Sequence, residues 1–97
     1  NIGNMLETSV FSELVKKNGK GNINYWRNKN ANEIDFIVNM NGEILPIEVK
    51  NNFSQFKKSK INSFLERYKP KEFYIVGLAG KKNKEYDKYP WELSKTI

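Results

Sequence analysis

Residues 32–50 read NEIDFIVNMNGEILPIEVK, two apolar-alternating runs joined by Asn39-Met40-Asn41-Gly42. An Asn-Gly step between such runs is the signature of a tight β-hairpin, because the favoured two-residue turn needs positive φ at both central positions. The period of two puts Glu33 and Asp35 on one face of the first run and Ile34, Phe36 and Val38 on the other. On the second run Glu48 and Lys50 share a face with Pro46, opposite Leu45, Ile47 and Val49. A turn at Asn41-Gly42 brings Asp35 close to Glu48, since neighbouring strands lie about 4.7–4.9 Å apart. Two carboxylates that near repel each other unless something positive stands between them. A divalent cation with oxygen preference answers this, Mg2+ being typically held by one or two carboxylates plus water and substrate phosphates. Lys50 then points at the same spot, where an ammonium can help deprotonate a water or offset charge on a phosphate.

The rest of the chain narrows the chemistry. Its 97 residues suffice for one domain, expected to span residues 1–97, and are too few for two. It begins at Asn1 and carries no G-x-x-x-x-G-K-[ST] motif, which is the expectation for a fragment of something longer. Gly77-Leu78-Ala79-Gly80-Lys81-Lys82 lacks the Ser/Thr and the spacing of a phosphate loop and reads as an exposed turn. The formal charge of +6, from 17 Lys/Arg against 11 Asp/Glu, favours a polyanionic partner such as nucleic acid. With neither cysteine nor histidine, disulfides, thiolate zinc sites and Ser-His-Asp or Cys-His catalysis are excluded, leaving carboxylates, lysine and tyrosine. No apolar run approaches the roughly 18 residues of a membrane span, and the expected location is cytoplasmic.

In chain order, residues 4–17 predict a helix: Leu6, Val10, Phe11, Leu14 and Val15 recur at helical spacing, and Asn18-Gly19 is a stop signal. Glu7 falls at the centre of that apolar arc, where a carboxylate is costly unless paired or ligating. Residues 23–27 alternate well enough for a strand, with Tyr25 and Trp26 facing opposite ways beside Arg27, and residues 28–31 form a polar turn. After Lys50, Ser54 predicts the N-cap of a second helix over 55–68 that buries Ile61, Phe64, Leu65 and Tyr68. Lys57, Lys58 and Lys60 in its first turns, at the positive end of the helix dipole, suit a phosphate backbone. Pro70 ends that helix, 72–77 is an interior strand, and strand 44–50, helix 55–68 and strand 73–76 form a crossover between parallel strands. Residues 81–88 look polar and mobile, and 89–93 a short edge segment or turn.

Asp35, twelve residues, then Glu48-Val49-Lys50 resembles the D…(D/E)-x-K signature of the PD-(D/E)XK, or restriction-endonuclease-like, nuclease superfamily. The longer wording YWRN…NEIDFIV…ILPIEVK, running from about Gly3 to Trp91, is similar to the nuclease-like C-terminal domain of many bacterial and archaeal AAA-type ATPases. Ile34 stands where the short pattern has its often-replaced proline. The resemblance implies an α/β (α+β) fold with an α-β-β-β-α-β core, a mixed central sheet flanked by helices. It implies Mg2+ (or Mn2+) on Asp35, Glu48 and the Val49 carbonyl, with Lys50 activating water and Glu7 completing the catalytic cluster. Glu33 is then an auxiliary acid facing solvent, and Arg27, Lys57, Lys58 and Lys60 contact nucleic acid, most naturally DNA. The implied partner is the N-terminal ATPase portion of the same polypeptide. Two alternatives stay open: a catalytically silent DNA- or protein-binding accessory domain of the ATPase, and a basic α/β domain whose Glu7, Asp35, Glu48 and Lys50 do not converge.

Overall fold

In a computed structural model, which describes residues 2–96, Asn41 and Gly42 take left-handed conformations with φ of 56° and 86° and Met40 pairs with Glu43. The Asn-Gly step therefore makes the hairpin turn, joining β2 (Glu33–Met40) to β3 (Glu43–Asn52). Helix α1 (Ile2–Asn18) and strand β1 (Ile23–Arg27) precede the hairpin; helix α2 (Asn62–Tyr68), strands β4 (Tyr74–Ala79) and β5 (Asp87–Lys88) and helix α3 (Leu93–Thr96) follow it. The fold is mixed α+β: one five-stranded sheet in the order β1-β2-β3-β4-β5, antiparallel through β3 and parallel from β3 onward. The predicted α-β-β-β-α-β order and the parallel crossover from β3 to β4 are both present.

The sheet is covered on both faces. On one, Leu6, Val10 and Leu14 of α1 and Leu93 of α3 pack with Phe36, Val38, Leu45, Ile47, Tyr74 and Val76. On the other, Phe64 and Ile61 pack with Ile34 and Ile37, joined by half-buried Trp26, Ile44, Phe56, Leu65 and Phe73. Ile34 and Phe36 thus lie on opposite faces although they are two residues apart, which corrects the simple alternation expected for β2. The cause is a β-bulge: Asn24 faces Ile37 but Trp26 faces Ile34, so two steps of β1 oppose three of β2. The extra residue falls in the Asp35-Phe36 segment.

Four other expectations change. The helix expected over 55–68 is α-helical only across Asn62–Tyr68, preceded by 3-10 turns at Phe53–Gln55 and Lys58–Lys60. Asn52, not Ser54, caps the first turn, accepting from the Ser54 N–H at 2.9 Å while the Gln55 side chain accepts from the Asn52 N–H. The chain stays flat because rings hold it down, Phe53 against Tyr89 and Phe56 against Tyr86. The segment expected to be mobile ends in β5, whose buried Asp87 accepts the N–H groups of Asn83 and Lys84, both at 3.2 Å. Tyr68, expected in the core, is exposed.

Gly77 is required by a close approach. A Cβ there would stand 2.9 Å from the buried Phe53 ring, inside any real contact. Gly77→Ala is expected to cost about 1–3 kcal/mol of stability, as overpacking does. Urea denaturation measures this, and an unshifted midpoint would mean the ring is free to move.

Candidate active site

The ladder between β2 and β3 stops at Phe36 and Ile47. One step further Asp35 faces Glu48, and their carboxylates do what backbone carbonyls did before. The Asp35 N–H donates to Glu48 Oε1 at 3.0 Å, and the Val49 N–H donates to Asp35 Oδ2 at 2.8 Å. The two acids are thereby held on facing strands where the strands part, beside the bulge.

A cleft of about 460 Å³ opens at this point, lined by Glu7, Glu33, Asp35, Glu48, Val49 and Lys50 together with Lys60 and polar neighbours. The four side chains predicted to converge therefore do line one cleft, although Glu7 comes from the α1 face and Glu48 and Lys50 alternate onto the other. Lys50 Nζ is 3.6 Å from Glu48 Oε2. Glu7 is half-buried beside Phe11, which stacks on Phe36; it flanks the Leu6-Val10-Leu14 row and does not sit at its centre, a correction to the sequence reading.

The remaining residues divide. Arg27 pairs with Glu33 across the β1–β2 ladder, its Nη2 3.0 Å from Oε2. Both border a smaller recess that also includes Glu7, Tyr25 and Asp35. Lys57 and Lys60 line a second recess behind Glu48 and Lys50, which Lys58 does not border. None of the three lysines lies on the first turns of an α-helix, since α2 begins later, so the helix-dipole argument for them fails. Sequence reasoning missed Asn4, Ala31, Asn32, Asn51 and Gln55 in the cleft wall. Ala31 holds a left-handed φ of 61°, and the signal was Asn28, whose Oδ1 accepts the N–H groups of Asn30 and Asn32 in a tight turn.

The electrostatics are those of crowded acids. Burial first, then the adjacent Asp35, push the Glu48 carboxyl up to about 8, with Lys50 opposing. Glu48 is only 7% exposed, consistent with that cause. Glu7 is raised too, by burial and then by Asp35 and Glu33. Among the described residues no three acids are grouped tightly enough to enclose a cation, because Asp35 and Glu48 are turned onto backbone amides. The carboxylate oxygens are hard donors, the kind that Mg2+ and Mn2+ prefer.

The raised carboxyl makes a testable statement about stability. The folded chain holds the Glu48 proton more tightly than the unfolded chain, whose pKa is 4.5, so this stabilisation is full below that pH and is lost as pH rises through about 8. Glu48→Gln, an uncharged stand-in for the protonated acid, is expected to match the parent at about pH 5 and exceed it by about 1–3 kcal/mol at about pH 9. Urea denaturation at both pH values checks this; parallel pH profiles would refute it.

Among the described residues no helix is long and apolar enough to cross a membrane. No curated protein and no solved structure matches the chain. A family does match, over residues 2–95, a span that takes in every residue lining the cleft, from Asn4 to Lys60. On that coverage the chain belongs to the family described as a domain of unknown function, DUF4143.

Proposed function

We propose that this is a metal-dependent nuclease-like domain of the PD-(D/E)XK kind, hydrolysing phosphodiester bonds of DNA and attached to an AAA-type ATPase in the cytoplasm. The observation that carries the reading is that Asp35 opposes Glu48 where two strands part, with Lys50 and Glu7 lining the same cleft. Its donor chemistry fits a hard divalent cation, which Asp35, Glu48 and the Val49 carbonyl would hold. Mg2+ supplies, when bound, activation of water and charge neutralisation on the phosphate.

The chain's own residues do the rest. To hold the ion Glu48 would have to give up its proton, which burial and then Asp35 favour keeping. Lys50 orients the attacking water and offsets phosphate charge in the transition state. Glu7 positions solvent from the α1 side. Lys57 and Lys60, bordering the recess that Lys50 also lines, and Arg27, bordering the one that Asp35 lines, draw in the phosphate backbone together with Lys58.

Asp35→Ala and Lys50→Ala are each expected to reduce Mg2+- or Mn2+-dependent cleavage of plasmid or single-stranded substrate by at least about a hundred-fold, a typical loss for one electrostatic group. Both should keep the parent circular dichroism. Cleavage surviving in either purified variant would remove the mechanism.

A second reading, a catalytically silent accessory domain that binds DNA or protein, is favoured by the engagement of both carboxylates with backbone N–H groups. Calorimetric titration separates the two. Heat from Mg2+ or Mn2+ at millimolar concentration, absent in Asp35→Ala, is expected for the nuclease; no heat in the parent chain would favour the accessory role.

A further inference from the structure

The ends of β3, β4 and β5 lie side by side. Lys50 pairs with Gly77 and Val76 with Lys88, so Tyr89 follows at the next step outward. Alternation puts Lys50, Gly77 and Tyr89 on one face, where the Phe53 ring covers Gly77 and meets Tyr89 edge-on at 5.5 Å. Two strand spacings, about 10 Å, separate the backbones of Lys50 and Tyr89.

The row of rings continues outward. Trp91 stacks on Tyr89 with centroids 4.7 Å apart and planes within 12°, yet it is 63% exposed. This is not a loose side chain. The Tyr89 N–H donates to Glu92 Oε1 at 2.7 Å, Lys82 Nζ reaches both Glu92 oxygens at 2.8 and 3.0 Å, and the Ser94 hydroxyl donates to the Trp91 carbonyl at 3.1 Å. Lys82 Nζ also stands 4.9 Å from the Tyr89 ring centre. The stack is therefore organised before a partner arrives, and little side-chain freedom remains to be lost on binding.

Charge identifies the occupant. Lys81, Lys82, Lys84 and Lys88 fall within eight residues; Lys82 is offset by Glu92 and Lys88 stands over Tyr74 on the opposite face of the sheet, which leaves Lys81 and Lys84 against Glu85, Asp87 being buried and engaged with its own loop. A flat face beside excess positive charge suits a group with an aromatic ring and an anionic link. Unpaired nucleotides supply both, since every base offers a π face. Bases in a duplex have those faces covered by their neighbours.

We infer that the Tyr89–Trp91 stack is a platform for an unpaired base, making single-stranded nucleic acid the class of ligand that lies along the cleft. As a statement about substrate it rests on the nuclease reading; as a statement about binding it does not. The test measures anisotropy of a labelled oligothymidylate, and of the corresponding duplex, in EDTA at low salt so that no cleavage intervenes. Trp91→Ala is expected to weaken oligothymidylate binding on the order of ten-fold, as loss of one stacked base does. Duplex binding should be unchanged, and Trp91→Phe should retain most of the single-strand affinity. Undiminished single-strand binding by Trp91→Ala would overturn the proposal and leave that face to a protein partner. Equal losses for single strand and duplex would overturn it as well. Because metal is absent, failure here leaves the cleavage mechanism standing, whereas an Asp35→Ala protein that still cleaves defeats the mechanism and not the platform.

Discussion

Everything at the cleft depends on one exchange of hydrogen bonds: Glu48 accepts the Asp35 N–H, and Asp35 accepts the Val49 N–H. A strand pair that parts must still satisfy its amides, because an unpaired buried N–H costs about as much as a lost hydrogen bond. Here side-chain carboxylates take the place of carbonyls. The strands can separate without orphaned donors, and the acids cannot drift. A carboxylate has lone pairs beyond the one given to an amide, so this role leaves capacity for a cation or a water. It also keeps Asp35 beside Glu48, whose carboxyl is raised first by burial and then by that neighbouring acid.

The bulge in β2 extends the consequence. Without the extra residue, Ile34 would share a face with Phe36 and the strand would continue flat past Asp35. With it, Ile34 joins the α2-side core while Phe36 stays under α1. The end of the hairpin becomes a point where the two faces of the sheet meet, and so Glu7 from one side and Lys50 from the other line a single cleft. A chain with no histidine has few ways to assemble reactive groups; bringing acids and a lysine from three segments to one corner is among them.

The C-terminal part serves the same corner from outside. Leu93 locks under the sheet with α1, and Asp87 ties its loop so that β5 can add to β4. Phe53 lying on Gly77 then joins the end of β3 to Tyr89 and Trp91. The aromatic stack is thus continuous with the site through packing, and not a separate appendage.

The sequence alone determined the hairpin, the opposition of Asp35 and Glu48, the first helix and the parallel crossover, because each follows from local periodicity or from a turn that only Asn-Gly makes readily. Only the tertiary structure decided the bulge, since an extra residue is defined by what the neighbouring strand pairs with. It also decided the division of 53–68 into two 3-10 turns and a short helix: the rings of Phe53 and Phe56 are drawn to Tyr89 and Tyr86, far along the chain, and outweigh local helix preference. Two-residue β5 carries no period to read, and the placement of Lys57, Lys58 and Lys60 fell with the helix that was to present them. The charge state of Glu48 is likewise tertiary, set by burial and by an acid thirteen residues away that only folding brings alongside.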